Sequence, residues 1–529
     1  MSSPNLTSLP LEIITQIASY LDTPDYRAVR LVCSSIEASL FRAFALRYFS
    51  KRQFMRTEYS LQGLVDISKS RLSSYLKHVV ITTELLIPKL VPSPAWRSSD
   101  ELNVGEERYN RMCDDQVVFM TTGYDQHMLI EAFRNLNLEA VGIRGEPWQD
   151  LHVYRGPSSY GISQIEEISF NPRFRRLWDP TWASERKALS RSCLQSVLVA
   201  LGKSGSSPKQ LELCMDDADI GDDVFNIPIF MEKLVSPVLS NLEAVEIRTH
   251  PNSESVERLI APKGQKPYKI ETYHLRRFLS RMTQVKRLCI DHSRQSCLFF
   301  QWLAAPISDE GYDGPPGLEP PRSLALPKLC ELELNTIQIH HSHLLAIIGK
   351  CSTTLRKLKT SGLLLPGAES GTSSALSAWP GFAAQLARVG SGLTEVHLDN
   401  LRVHRGSGLF TIRFKDGGYS ISCAGPDLKE ALGNLVLESE LTESEEDDNV
   451  EDWSENDDDD DDEDDEDDED DEDDDDDEDN EDDDDDEYED GIYEYTFDDY
   501  VQYGDLLNLS DEDITEDMLL GAALLFPDG

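Results

Sequence analysis

The residues best suited to metal chemistry are three closely spaced histidines with a cysteine on either side. They are His340, His341 and His343, between Cys330 and Cys351. Imidazole and thiolate bind zinc, but structural zinc sites keep closely defined ligand spacings, and this spacing fits no zinc finger. The histidines also follow a predicted strand, at the start of a predicted helix. We therefore expect solvated or half-buried histidines, with no metal and no other cofactor.

Patterns for nucleotide and hydrolase chemistry are incomplete or missing. Gly202-Lys203-Ser204 looks like the end of a phosphate-binding loop, but Val197 stands where its leading glycine belongs. Neither Gly-x-Ser-x-Gly nor His-Glu-x-x-His occurs, so neither common hydrolase class is supported. A hidden enzyme is therefore the least favoured of the alternatives.

The composition indicates an intracellular protein. The chain has no run of 18 apolar residues, and its first residues lack the basic and apolar regions of a signal peptide. Nine scattered cysteines without a Cys-x-x-Cys pair favour free thiols in a reducing compartment. We expect the cytoplasm, the nucleus or both.

The net charge of -50 comes entirely from the C-terminal part of the chain. No lysine or arginine follows Lys429, whereas 53 of the 99 acidic residues do. The first 429 residues carry 46 acidic residues against 49 basic ones and are nearly neutral.

The N-terminal residues show the pattern of short helices in a small bundle. Pro10 stands in a first helical turn, where proline costs least, and Ile13, Ile17 and Leu21 recur at helical spacing. Residues 22–25 supply a break and a new cap. A core of this size is too small to be secure alone, so we expect a partner to cover part of it.

This stretch resembles the F-box, whose pattern is Leu-Pro-x-Glu, spaced Ile or Leu, Asp, and Val-Cys before a last helix. The matching residues are Leu9, Pro10, Glu12, Ile13, Ile17, Leu21, Asp25, Val29, Val32 and Cys33. Ile36 replaces the aromatic residue often found after the cysteine. The resemblance implies a module that docks on the Skp adaptor of a cullin-RING ubiquitin ligase, the SCF complex. The alternative is an ordinary three-helix cap on a larger domain.

Contacts with an adaptor should rely on apolar anchors and bury about 1,200–2,000 Å². The candidate adaptor-binding residues are Leu9, Pro10, Ile13, Ile17, Leu21, Val29, Leu31 and Val32. Each has a competing role in the small core of the module.

A six-residue unit with apolar first, fourth and sixth positions recurs in the rest of the chain. Units begin at Leu76, Ile165, Leu242, Val285, Leu329, Leu355 and Leu393, and residues 211–215 are a further strand. The units resemble strands of leucine-rich repeats, which line a concave parallel sheet with helices outside. From the unit at Leu242 onward, successive units start 43, 44, 26 and 38 residues apart, whereas leucine-rich repeats run about 20–29, so insertions such as 305–321 and 366–374 must interrupt the array.

The alternative for this body is a general α/β domain with ordinary strands. In leucine-rich arrays the exposed strand residues usually bind, which makes a set of charged residues candidates for target contact by position alone. They are Lys77, Glu243, Glu246, Lys286, Arg287, Glu331, Glu333, Arg356 and Lys357. They are equally compatible with plain solvent-facing charges.

The acidic C-terminal part should not form a core. Asp and Glu make up 35 of the 40 residues from 451 to 490, so self-repulsion predicts an extended, disordered segment. It could act as a tether or recruit basic proteins. Apolar and aromatic residues return from 493 to 526, which suggests a peptide that docks on a partner or folds back on the body.

The predicted fold class is α+β or α/β, in five parts. They are a three-helix F-box (1–50), a helical connector (51–75), an irregular leucine-rich-repeat-like solenoid for substrate recognition (76–435), a disordered acidic low-complexity tail (436–490) and a C-terminal apolar and aromatic segment (491–529).

We expect a non-catalytic, substrate-recognition subunit of an SCF ubiquitin ligase. It would bind a Skp-family adaptor, through it the cullin-RING ligase, and a protein target that the sequence does not identify. Neither nucleic acid nor a membrane is an expected direct partner. The alternative is an acidic-tail scaffold or chaperone that binds basic proteins such as histones, and rising salt should weaken that association first.

Overall fold

The N-terminal residues form three short helices after a 3₁₀ turn (Leu6–Ser8). They are α1 (Leu11–Ser19), α2 (Thr23–Leu31) and α3 (Ser34–Phe49). The Asp22 carboxylate accepts a hydrogen bond from the Asp25 N–H at 2.8 Å, which caps α2, and Pro24 lies in the first turn. Both α1 and α2 pack on α3, burying Ile14 and Tyr26.

The computed structural model describes fourteen stretches of the chain. They are residues 6–83, 100–145, 159–161, 183–215, 222–249, 272–292, 297–306, 323–365, 374–390, 392–405, 408–411, 418–425, 428–433 and 442–443. All lie in one compact unit. The predicted unit at Ile165, most of the two predicted insertions, all of the predicted acidic tail (436–490) except residues 442–443, and the C-terminal segment lie outside these residues.

The strands of the body are mostly short. In chain order they are β1 (Lys51–Phe54), β2 (His78–Thr82), β3 (Ala140–Arg144), β4 (Gln210–Met215), β5 (Ala244–Thr249), β6 (Arg287–His292), β7 (Glu331–Asn335), β8 (Lys357–Ser361), β9 (Leu364–Leu365), β10 (Glu395–Asp399), β11 (Arg402–Arg405), β12 (Gly408–Thr411), β13 (Ser420–Ala424) and β14 (Thr442–Glu443).

Ten strands form one sheet whose order follows the chain, β1-β2-β3-β4-β5-β6-β7-β8-β10-β13. All neighbours are parallel except β10 and β13, which are antiparallel. Parallel neighbours need crossover connections. The helices after α3 are α4 (Glu58–Lys69), α5 (Asp100–Thr121), α6 (Tyr124–Asn135), α7 (Ala183–Ser204), α8 (Ile229–Ser240), α9 (Tyr273–Ser280), α10 (Cys297–Ala304), α11 (His341–Lys350), α12 (Ser374–Val389) and α13 (Leu428–Gly433).

The two faces of the sheet differ in polarity because side chains alternate along a strand. In β7, Leu332 and Leu334 are fully buried in the core, whereas Glu331 and Glu333 on the other face are half-buried. We call the polar side of β4–β8 and β10 the open face. The described predicted units lie in β2, β4, β5, β6, β7, β8 and β10.

A second, four-stranded sheet has the order β14-β12-β11-β9. β9 follows β8, and β11 follows β10, after only two residues each. The small sheet therefore continues from the ends of the last parallel strands. Within the described part of the chain, no helix is both long and apolar enough to cross a membrane.

Candidate functional site

The first candidate site is an exposed apolar face on α1. Ile13, Ile17 and Tyr20 follow one another at intervals of four and three residues, which places them on one side of a helix. All three are exposed, Tyr20 to 81%. Ile14 and Ala18 occupy the opposite side and are buried. The helix thus carries apolar side chains on two sides, although only one is needed for the core.

A second pair of apolar residues is exposed where α2 ends. Leu31 is 73% exposed and Val32 is 68% exposed. Cys33, in extended conformation, then leads into α3. Two adjacent aliphatic side chains with this much exposure contribute little to burial in the described fold, so most of their apolar surface is available to a partner.

The eight predicted adaptor contacts divide into two groups. Pro10, Ile13, Ile17, Leu31 and Val32 are exposed. Leu9, Leu21 and Val29 are partly buried and pack against the core. Sequence reasoning omitted three exposed apolar residues nearby, Leu6, Leu11 and Tyr20. Tyr20 carried a usable signal, because it extends the series of Ile13 and Ile17 by one helical turn.

Aromatic rings and a buried ion pair hold α2 against α3 on the side away from the exposed apolar residues. The Tyr26 ring stacks on Phe44 with centroids 5.9 Å apart, and burial raises the pKa of Tyr26. The Arg30 guanidinium lies 3.6 Å from the Phe44 ring centroid and donates to Glu37 at 3.1 Å. Burial lowers the pKa of Arg30, and Glu37 opposes that shift. The end of α2 that presents Leu31 is therefore fixed on α3.

The three helices are also joined to the body. Glu37 forms a second ion pair with Arg71, which follows α4. Arg71 lies 3.9 Å from the Phe41 ring centroid, and Phe41 meets Tyr75 edge to face at 5.7 Å. These contacts link α3 to the segment that leads into β2.

The backbone supplies a further connection. Only Ser50 separates α3 from β1, and its carbonyl accepts hydrogen bonds from the N–H groups of Lys77 and His78, at 3.1 and 3.0 Å. The helices therefore lead directly into the first strand of the large sheet.

The second candidate site is the open face of the sheet. The predicted target-binding residues Glu246, Arg287, Glu331, Glu333 and Lys357 lie in strands and point to this face by alternation. The other four immediately precede strands. They are Lys77, Glu243, Lys286 and Arg356.

Ion pairs between strands neutralise much of this face. Glu333 pairs with Arg287 at 3.2 Å, and Lys357 pairs with Glu395 at 2.7 Å. At the other end, Glu212 pairs with Lys51 at 3.0 Å and with His78 at 3.3 Å. Burial alone would raise the pKa of Glu212, but these two partners lower it to about 2.

The histidine cluster keeps its rings close together. Centroids of His340 and His341 are 4.4 Å apart, and His340 Nδ1 lies 2.6 Å from the Ser342 hydroxyl. Desolvation is the main cause that lowers the pKa of His341 and His343. No group of His, Cys, Asp or Glu that could hold a metal occurs within the described stretches.

The eight cysteines whose side chains the structure describes are free thiols. Burial raises the pKa of Cys193 to about 11 and that of Cys214 to about 12, which keeps both thiols protonated and poorly nucleophilic. The described cysteines with raised pKa values are therefore suited to packing, not to thiolate chemistry.

Comparison with known proteins adds one finding. Residues 6–44 match the family model described as F-box-like. The match covers α1, α2 and most of α3, the elements that carry the exposed apolar residues. No curated protein matches the chain.

Proposed function

Taking as premise that this is an F-box protein with its F-box-like domain at residues 6–44, we propose that it is the substrate-recognition subunit of an SCF ubiquitin ligase. In this proposal the domain binds a Skp-family adaptor, and the body binds a protein target. The observation that carries the proposal is the coincidence of the family match with exposed apolar residues that the described fold leaves uncovered.

The exposed residues have the chemistry of a protein interface. Pro10, Ile13, Ile17, Leu31 and Val32 bear no charge, so the adaptor would be held mainly by burial of apolar surface. Binding of that kind tolerates moderate salt, because screening acts on charges. Leu9, Leu21 and Val29 would shape the face from beneath.

The connection between helices and sheet suits a receptor. A ligase must hold its target at a defined position relative to the transferring subunit. A flexible linker between the adaptor-binding helices and the body would make that position variable. Here α3 leads into β1 through Ser50, and Glu37 ties α3 to Arg71. The adaptor-binding part and the body would therefore move together.

The body is proposed to be a leucine-rich-repeat-like solenoid that selects the target. Its strand order follows the chain, and each parallel strand contacts its predecessor, as in repeat arrays. The protein would position the target without bond chemistry of its own and would work in the cytoplasm, the nucleus or both.

The acidic segment favours a second candidate function, a scaffold for basic proteins. Residues 451–490 hold 35 acidic residues, enough to attract histones or other lysine-rich proteins. Ionic strength separates the two candidates, since salt weakens tail-driven association much more than apolar adaptor binding.

The test is co-purification of the full-length protein with the Skp adaptor and cullin at moderate salt. The informative variant is Leu31→Asp with Val32→Asp, because both side chains are exposed and the fold should tolerate the change. Aspartates in an apolar interface would be desolvated without partners, so we expect at least about tenfold weaker adaptor binding.

The matched control is Val117→Asp with Val118→Asp, which places the same two charges at adjacent exposed aliphatic residues of α5. It should retain both partners. Failure of the unmodified protein to bind the adaptor, or equal binding by the Leu31→Asp, Val32→Asp variant and the control, would refute the proposed function.

A further inference from the structure

The carboxyl ends of the parallel strands meet along one edge of the sheet, which we call the carboxyl edge. A crossover helix starts near this edge and runs back, because its last residue leads into the next parallel strand. For example, α8 ends three residues before β5 begins, and α6 ends four residues before β3. The N-termini of these helices therefore lie at the carboxyl edge.

Exposed large apolar residues outside the first three helices gather at this edge. They are Val117, Val118, Tyr124, Ile229, Phe230, Leu298 and Tyr419. Tyr124, Ile229, Phe230 and Leu298 are the first or second residues of α6, α8 and α10. Val117 and Val118 are in the last turn of α5, just before α6. The Tyr419 carbonyl accepts a hydrogen bond from Asn400, which follows β10.

The strongest part of this surface is the start of α8. Ile229 is 77% exposed and Phe230 is 84% exposed, whereas Met231 and Val235 on the other side of the helix are buried. An exposed phenylalanine beside an exposed isoleucine leaves a large apolar surface in water, and covering that surface with an apolar ligand would be favourable.

A positive charge accompanies this apolar pair. Lys233 is exposed one turn after Ile229, and no ion pair joins it to another described residue. Its neighbour Glu232 is already paired with Arg277 and Arg281. The helix N-terminus itself adds a partial positive charge. The patch therefore suits a segment that is both apolar and acidic.

The C-terminal segment of this chain has that composition. Residues 511–517 contain five acidic residues, and 518–526 are almost entirely apolar. Ile514 and Met518 are spaced for one side of a helix that Ser510 could cap. The segment therefore offers acidic residues to Lys233 and apolar residues to Ile229 and Phe230.

The intervening chain is long enough to reach the patch. The last described residues, 442–443, pair with β12 in the small sheet, which continues from the carboxyl ends of β8 and β10. From β10 to β5 the sheet spans about 20 Å at about 4.8 Å per strand. Even a compact coil of the roughly 70 intervening residues averages about 45 Å, and charge extends it further.

We propose that residues 511–526 bind the patch formed by Ile229, Phe230 and Lys233 in the same chain. Tethering gives the segment an effective concentration up to the millimolar range, so weak contacts suffice. If the body recognises targets at this edge, as the proposed function allows, a target must displace the segment. That consequence rests on the proposed function, whereas the binding itself does not.

Photo-crosslinking in the full-length protein tests this directly. Benzoylphenylalanine at position 230 should crosslink to peptides within residues 511–526 of the same chain, as identified by mass spectrometry. The variant with Met518→Asp, Leu519→Asp and Leu520→Asp should lose these crosslinks. Lys233→Glu should lower their yield by up to about fivefold, the range of an exposed ion pair.

The matched control places the same probe at Tyr20, which is equally exposed on α1. It should not reach residues 511–526. Mixing isotopically labelled and unlabelled protein distinguishes crosslinks within a chain from crosslinks between copies. Absence of the crosslinks from position 230, their persistence in the triple variant, or crosslinks only between copies would overturn the proposal. Adaptor binding measured on the same samples reports separately on the proposed function.

Discussion

At the scale of single residues, Glu37 connects the first three helices to the body. Its carboxylate pairs with Arg30, under the exposed end of α2, and with Arg71, which belongs to the body. Glu37 and Arg30 are both buried. Removing one partner from a buried ion pair leaves the other without compensation, which costs more than the pair contributes.

Glu37→Gln should therefore lower the free energy of unfolding by about 3 kcal/mol. Denaturant unfolding measures the loss for the whole protein, and hydrogen exchange of the α3 amides measures it at the site of the change. Glu58→Gln is the control, because Glu58 is exposed, and it should change stability by less than about 0.5 kcal/mol. Equal losses in the two variants would contradict the role given to Glu37.

Glu212 should give the body a pH-dependent contribution to stability. Its folded pKa is lowered from 4.5 to about 2, so the contribution is complete above about pH 4.5 and disappears as the pH falls towards 2. For a side chain that is 14% exposed, the shift corresponds to about 3 kcal/mol.

Glu212→Gln should lack this part of the acid-induced loss of stability, as measured by denaturant unfolding between pH 2 and 6. Glu243→Gln is the matched variant, since Glu243 pairs with Lys209 and Lys286 at the solvent. Solvent screens these two ion pairs. The difference in unfolding free energy between the unmodified protein and Glu243→Gln, plotted against pH, should therefore be flatter than the corresponding difference curve for Glu212→Gln. A flat difference curve for Glu212 would show that its carboxylate is not stabilised in the fold.

At the scale of elements, the sequence predicted most of the parallel strands that keep the apolar pattern, but it missed β1, which does not keep the pattern, and β3, which does. β1 was not predicted because Arg52 stands at the fourth position of the unit, where the pattern requires an apolar residue such as Val79 in β2. β3 fits the pattern at Leu138, Val141 and Ile143 and was overlooked among long insertions. Residues 51–75, predicted as a helical connector, contribute β1 and α4 to the body.

The candidate site was predictable in outline but not in its division between surface and core. Helical spacing groups Ile13, Ile17 and Leu21, yet Leu21 turns towards the core because α1 already ends at Ser19. The exposure of Leu31 depends on how α2 meets α3, which is a tertiary property that local spacing does not contain.

The cap of α2 is the element whose contribution is easiest to isolate. Asp22→Ala removes the acceptor for the Asp25 N–H and should destabilise α2 by about 1 kcal/mol. Hydrogen exchange of the first amides of α2 measures the effect. Asp22→Asn keeps a side-chain oxygen and should restore most of it; no recovery in that variant would argue against a capping role.

At the scale of the whole molecule, the net charge is unevenly distributed along the chain. The first 429 residues are nearly neutral, and the acidic excess follows them. A body without a large net charge does not need the acidic segment for its own stability, because ion pairs such as Arg287 with Glu333 are made locally.

Deletion of residues 445–490 should leave adaptor binding and thermal unfolding unchanged and remove binding to basic proteins at low salt. Co-purification at two ionic strengths, beside a thermal melt, checks both statements. A chain of equal length with glycine and serine in place of the acidic residues controls for the loss of the tether. Loss of adaptor binding in both variants would point to a role in the fold.

The sequential order of the large sheet has a consequence for how the protein is made. Each strand from β2 to β8 pairs with the strand before it, so every new strand finds its partner already synthesised. Contacts between successive strands of the sheet join neighbouring parts of the chain, which favours rapid growth of structure from a first nucleus. The helices ahead of β1 leave the ribosome before the sheet does and lead directly into that nucleus. Folding can then proceed in the direction of translation, with the acidic residues emerging only after the strands that precede them have paired.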